Sequence, residues 1–293
     1  MFDISNIYEP KTMEEALDIL DNKENIKIIA GGTDVLIKLH HGDMLGIELL
    51  SIRNIEELKA IQLNENEDIE IGAMCSFTDI FRNEIINENI YVLSEAAVSM
   101  GGPQVRNMAT IGGNVCNGAV SADSATTLFA LNAQLLLRRK NEKRIVPIRE
   151  FYLGPGKVSI FPDEILVKII IRKEDYKGYK GNYIKFSNRK AMDIAMLGVS
   201  VVGAIENNKF NDLRISLGVA APTPVRCLKA EDFARGIEIN MKNIIEISEK
   251  ALLDAKPRNS WRGSKDFREH LIKELTKRGI LEVIKRAGGV VNE

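Results

Sequence analysis

The chain has 293 residues, 45% hydrophobic and 28% charged, with a net charge of −1; this is an ordinary globular composition, long enough for two cores and without the basic face that nucleic acid requires. Three widely separated cysteines, Cys75, Cys116 and Cys227, argue against a disulfide framework and for a reducing cytoplasm, and they fall short of the four thiolates of an iron–sulfur cluster. No apolar stretch approaches the roughly 20 residues of a membrane span, and the first ten residues lack the basic start and apolar run of a secretory signal.

In chain order, Thr12 and Glu15 have the spacing of a capping box, and Met13, Ala16, Leu17 and Leu20 behind them share one helical face. Ile26–Ala30 reads as a short aliphatic strand that runs into Gly31-Gly32-Thr33-Asp34, a turn opening a second apolar segment. Strands are expected at Ile47–Ile52 and Ile69–Gly72, and a helix where Leu93, Ala96, Ala97 and Met100 form a face. From Gly101 to Asp123, six Gly and Pro residues interrupt any periodicity (Gly101, Gly102, Pro103, Gly112, Gly113 and Gly118), and the segment reads as one long functional loop. A helix at Ser124–Leu131 and strands at Gln134–Arg138 and Glu164–Ile171 follow.

The second half reads as a strand meander near Tyr183–Phe186, Met196–Ile205 and Leu213–Val219, then helices near Met241–Leu253 and Lys265–Lys285. This predicts an antiparallel sheet with helices on one side. The fold class is therefore α+β, in two domains of residues 1–175 and 176–293, with the boundary among the charges and glycines of Lys173–Gly181.

Two glycine segments carry the chemistry. In Ile28-Ile29-Ala30-Gly31-Gly32-Thr33-Asp34-Val35, a strand ends in paired glycines, which lets backbone N–H groups approach a phosphate without Cβ interference. It is neither a P-loop nor GxGxxG, and standing alone it is better accounted for by a plain tight turn. In Ala109-Thr110-Ile111-Gly112-Gly113-Asn114, glycines again expose donors, and Thr110 and Asn114 offer polar side chains. Asp123 beyond it suits either ribose or ribitol hydroxyls or the N-cap of the following helix; beside a pyrophosphate it would be repelled, so as a ligand it belongs toward a sugar-like end. Two such segments can grip an extended dinucleotide from both sides, but spacing alone does not select which one.

AGGTD followed by TIGGN is similar to the paired signature of vanillyl-alcohol-oxidase-type (PCMH-type) FAD domains in molybdenum hydroxylases. GPQVRNMATIGGNVCNGAVSADSA, FYLGPGKVS, DEILV, AMDIA, LGVAAPTPVRC and PRNSWRGSKDFREHL extend the resemblance along nearly the whole chain, toward FAD subunits of bacterial three-subunit xanthine dehydrogenases. The resemblance implies a two-part PCMH-type FAD-binding domain followed by a C-terminal domain like that of CO dehydrogenase flavoproteins. It implies FAD as cofactor, a large molybdopterin-binding partner, a small iron–sulfur partner, and NAD as electron acceptor. It also implies roles for residues. Lys27 and Ile28–Val35 would wrap the FAD pyrophosphate, while Ala109, Thr110, Ile111, Gly112, Gly113 and Asn114 would hold its other side. Asp123 would bind a cofactor hydroxyl, and Ile165 and Leu166 would pack near a ring with backbone contacts. Lys185 would come from the C-terminal domain to the flavin, and Met100 and Gly101 stand where animal relatives place an aromatic residue beside it. Cys116 is expected to be a buried structural thiol, and Asp193 a turn aspartate or a residue near the nicotinamide entrance.

Other readings stay open at this level. The FAD subunit could serve an aldehyde, nicotinate or carbon monoxide enzyme, or the chain could be a free-standing FAD reductase, which would need its own acid or base over the flavin. A non-catalytic nucleotide-binding or assembly protein is a third class, and it would carry no flavin. Trp261-Arg262 is a candidate docking surface, although a lone Trp is at least as often core.

Overall fold

The first fifty residues alternate short aliphatic runs with amphipathic ones, and they fold as parallel strands joined by helices. The computed structural model describes residues 3–291. Strand β1 (Ile4–Tyr8) leads through helix α1 (Met13–Asp21) to β2 (Ile26–Ile29), then through α2 (Val35–His40) to β3 (Ile47–Ser51). The sheet order is β1-β3-β2, with both pairings parallel. Thr12 caps α1 by accepting from the Glu15 N–H, but the Glu15 carboxylate bonds the Lys11 N–H, so only half of the expected capping box forms. Met13, Ala16, Leu17 and Leu20 are buried against Leu50 and Ile52, as the helical spacing requires.

A second unit is built on five antiparallel strands in the order β4-β5-β10-β6-β7. These are β4 (Ile61–Leu63), β5 (Ile69–Gly72), β6 (Gln134–Arg139), β7 (Glu142–Pro147) and β10 (Ile165–Ile171); the ribbon β8 (Tyr152–Gly154) and β9 (Lys157–Val158) stands apart. The central strand β10 is a shared wall. Ile165 and Val167 enter the core under α1, while Leu166, Ile169 and Ile171 enter the larger core of the second unit. Between β5 and β6 lie the helices α3 (Phe77–Arg82), α4 (Glu84–Asn89), α5 (Tyr91–Ser99), α6 (Pro103–Met108), α7 (Ile111–Cys116) and α8 (Asp123–Ala130); α9 (Ile148–Phe151) and α10 (Lys173–Tyr176) come later. The expected long loop from Gly101 to Asp123 is thus corrected: it contains two six-residue helices, started by Pro103 at the first turn and by the Thr110 cap.

The last unit is an antiparallel sheet of β11 (Lys180–Phe186), β12 (Leu197–Glu206), β13 (Lys209–Gly218) and β14 (Val225–Arg226), in that order. Helices α11 (Leu228–Ala234), α12 (Met241–Lys250) and the 22-residue α13 (Lys265–Arg286) cover one face, which agrees with the expected α+β arrangement. The other face is covered too, by α5 and α8 of the preceding unit. That contact requires glycine: a Cβ on Gly218 would overlap the Thr126 hydroxyl of α8. Arg226 crosses the same seam, pairing with buried Glu231 and donating to the Phe129 carbonyl at 3.1 Å and Asn132 Oδ1 at 2.6 Å. Among the described residues no helix is long and apolar enough to cross a membrane.

Candidate cofactor site

Strand β2 stops at Ile29, and the chain turns at Gly32, whose φ of +75° is a conformation that side chains rarely adopt. Leu36 N–H closes the turn on the Gly32 carbonyl at 2.9 Å. Among the described residues the N–H groups of Gly32, Thr33 and Asp34 have no hydrogen-bond partner. Asp34 precedes α2 without capping it. Three consecutive free amides at a turn are a donor set suited to phosphate oxygens.

The second glycine segment is spelled alike and built differently. Thr110 caps α7, accepting from the Gly113 N–H through its hydroxyl at 3.2 Å and from the Asn114 N–H through its carbonyl at 2.9 Å. The Ile111 and Gly112 N–H groups donate to the Cys75 and Ala73 carbonyls at 3.0 and 2.9 Å. Every amide from Ile111 to Asn114 is therefore used within the protein, contrary to the expectation of exposed donors. Gly112 is there for proximity: a Cβ on it would lie 2.6 Å from that of Ala73.

The two segments touch. A Cβ on Gly31 would overlap the Met108 carbonyl and come within 3.0 Å of Ala109 Cα, while one on Gly113 would lie 3.9 Å from Ala30 Cβ. Lys27, exposed on β2, is close enough to lower the Cys116 pKa, although burial is stronger and pushes that thiol up to about 12. The structure therefore brings Lys27 through Val35 beside Ala109 through Asn114. It also brings Ile165 and Leu166 to this region, since α7 packs on β10, but both side chains are buried in the cores and only their backbone remains to face a ligand.

From the second segment a line of hydrogen bonds runs into the C-terminal sheet. Ser124 Oγ donates to Asn114 Oδ1 at 2.6 Å. Its neighbour Asp123, 5% exposed, accepts from Tyr183 Oη at 2.6 Å and Lys185 Nζ at 2.9 Å. Lys185 also donates to the Ser99 carbonyl at 3.1 Å. The N-cap reading of Asp123 is corrected: Ala122 occupies that position, and the carboxylate turns to β11 instead. Burial raises the Asp123 pKa, with Lys185 and Tyr183 pulling it back; burial and the neighbouring Asp123 charge push the Tyr183 hydroxyl well up.

Gly101, with φ +51°, sits in a turn over the same region. Arg106 holds it by donating to the Met100 and Gly101 carbonyls at 3.0 and 3.5 Å, and the Met192 N–H reaches the Gly101 carbonyl at 3.4 Å. Asp193 accepts from the Arg189 and Ile194 N–H groups, which is the turn role. Sequence reasoning missed Arg106, Ser124 and Tyr183. Tyr183 had a signal: it is two residues from Lys185 and so shares its face of the strand.

The donor set fits FAD in its parts. The free amides of Gly32, Thr33 and Asp34 match a pyrophosphate, and the Asp123–Lys185 pair offers an acceptor and a cation for hydroxyls and a polar ring edge.

Comparisons with known proteins show the family and its cofactor. Residues 2–173 match the family model described as the FAD binding domain in molybdopterin dehydrogenase, and residues 182–283 match the CO dehydrogenase flavoprotein C-terminal domain. A xanthine dehydrogenase FAD-binding subunit of Escherichia coli O157:H7 is 42% identical over 289 residues, 99% of each chain. The glyceraldehyde dehydrogenase medium chain of Sulfolobus acidocaldarius is 29% identical over 93% of this chain and 96% of its own. Among solved structures, a carbon monoxide dehydrogenase from Hydrogenophaga pseudoflava superposes with a TM-score of 0.92 at 26% identity, covering 98% of this chain and 99% of that one.

Proposed function

Because the chain belongs to the FAD-binding family of the molybdopterin dehydrogenases, we propose that it is the electron-relay subunit of a xanthine dehydrogenase-type complex in the cytoplasm, taking electrons from the iron–sulfur clusters of a small partner and delivering them to NAD+. A large molybdopterin-binding subunit would hydroxylate the purine. Bound FAD supplies a carrier that accepts electrons singly and releases them in pairs.

In this reading residues 1–175 hold the cofactor and 176–293 complete its site. The amides of Gly32, Thr33 and Asp34 hold the pyrophosphate, with Lys27 and Ile28–Val35 shaping the turn. Ala109–Asn114, Gly101 and the Ile165–Leu166 backbone form the opposing walls. Asp123 accepts from a cofactor hydroxyl and orients Lys185, whose ammonium favours negative charge on the reduced ring. The observation that carries the proposal is the buried Asp123–Lys185 pair, joined through Ser124 and Asn114 to the glycine segments from across the domain seam.

A relay is favoured over a free-standing reductase by the likeness over nearly the whole chain to proteins named as an FAD-binding subunit and a medium chain, parts of larger enzymes. The test is anaerobic stopped-flow reduction by NADH, with redox titration of the flavin. Lys185→Met is expected to lower the potential and slow the NADH reaction about tenfold, a loss of roughly 1.4 kcal/mol. An unchanged potential and rate would remove Lys185 from the proposal, and flavin that NADH does not bleach would remove NAD.

A further inference from the structure

Buried or half-buried arginines in this protein usually meet carboxylates: Arg144 meets Glu164, Arg214 meets Asp175, and Arg286 meets Glu95. Half-buried Arg262 and buried Arg268 do not, and neither does the exposed Arg258 near them; among the described residues none of the three forms an ion pair. Arg268 is 2% exposed, and its guanidinium donates to the Met196 and Val219 carbonyls and to Ser260 Oγ, all uncharged. The Nε atoms of Arg262 and Arg268 are buried without a partner. Burial and the nearby charges of Arg258 and Arg262 lower the Arg268 pKa, so the cluster is close enough for its members to repel one another.

This positive cluster underlies a tight hairpin. Ser260 and Gly263 exchange backbone hydrogen bonds at 3.1 and 3.2 Å, presenting Trp261 and Arg262 at the tip. Trp261, the one tryptophan of the chain, is 80% exposed, which corrects the core reading. The Arg262 guanidinium lies 4.1 Å from its ring centroid. The cation–π contact with Arg262 is a modest return for leaving the largest apolar side chain in water, and an exposed Trp beside an Arg without a carboxylate matches an interface anchor. The hairpin lies by the end of β11: Phe267, at the start of α13, packs on Phe186 with ring centroids 6.0 Å apart, and Phe186 follows Lys185 on the opposite face of that strand.

We propose that the Trp261 hairpin is the docking surface for an acidic face of the iron–sulfur subunit, with Trp261 as the apolar anchor and Arg258 and Arg262 as the cationic rim. The proposal rests on the relay reading, which supplies that partner. Charge complementarity requires carboxylates on the partner, and the position beside the Lys185 end of β11 suits the subunit that delivers electrons. A free small anion is a poorer occupant, because it would leave the Trp261 side chain, 80% exposed, uncovered.

The test is a binding titration of the flavin-loaded chain against the iron–sulfur and molybdopterin subunits of its own complex, expressed separately and together. Trp261→Ala and the double variant R258E/R262E are expected to weaken binding of the iron–sulfur subunit roughly tenfold or more, with flavin content unchanged. Wild-type binding should weaken as salt rises. Lys143→Glu, on exposed β7, should change nothing. Wild-type affinity in both hairpin variants would overturn the proposal, as would loss of the molybdopterin subunit alone. Competition by inorganic phosphate beyond a chloride control of equal ionic strength would assign the cluster to a small anion and overturn it too. A wild-type chain that binds neither subunit would instead overturn the relay reading beneath it.

Discussion

AGGTD and TIGGN look like two copies of one device, yet the structure uses them in opposite ways. The first leaves the amides of Gly32, Thr33 and Asp34 free, and the second spends the amides of Ile111, Gly112, Gly113 and Asn114 on Ala73, Cys75 and Thr110. In the first, glycine permits a left-handed turn whose amides stay unpaired within the protein. In the second, it permits contact between backbones, so that α7 sits against Ala73 and supports the turn from behind. A glycine pair in a sequence is thus evidence of close approach, and only the hydrogen-bond inventory tells whether the approaching group is a ligand or the protein itself.

Substitutions can break this contrast. The largest effect is expected from Gly31→Ala, because its Cβ would overlap the Met108 carbonyl exactly where the two segments meet. Both should fail together, with a loss of about 3 kcal/mol or more in denaturant unfolding and loss of bound flavin by absorbance. A stable, fully yellow Gly31→Ala protein would mean that the segments do not depend on their contact. Thr110→Ala removes the α7 cap and should cost about 1 kcal/mol of stability, with little change in FAD affinity once the protein is folded. Thr33→Ala, which keeps the amide but removes the hydroxyl donor beside the three free N–H groups, should do the reverse. Its stability should hold, while fluorescence titration of the apoprotein should show FAD binding weakened roughly 3- to 10-fold, the worth of one hydrogen bond of about 0.5–1.5 kcal/mol. Equal effects of these last two on affinity would erase the distinction between a ligand-facing and a protein-facing segment.

How much of this was legible in the sequence depended on the length over which a pattern could repeat. Helix α1 and strands β2, β10 and β12 were legible because aliphatic residues kept their period over a full element. Helices α6 and α7 were not, because six residues make fewer than two turns and their stability comes from caps and tertiary contacts. The α+β division was legible from the strand meander, but not that α5 and α8 would cover the second face of the C-terminal sheet, since that needs the small Gly218 to meet Thr126 across a long sequence separation. Composition and spacing led to a dinucleotide and stopped there; FAD came from resemblance. Asp123 stood out in the sequence as a notable acid, yet its partners Tyr183 and Lys185 lie in the C-terminal sheet, where no local rule can pair them.

The most direct measurement is amide hydrogen exchange on the apoprotein and on the same protein loaded with FAD. The account predicts that Gly32, Thr33 and Asp34 exchange freely without FAD and become protected with it, while Ile111, Gly112 and Gly113 are protected in both states. Protection gained at Gly112 and Gly113 with none at Gly32–Asp34 would contradict the assignment of the pyrophosphate to the first segment.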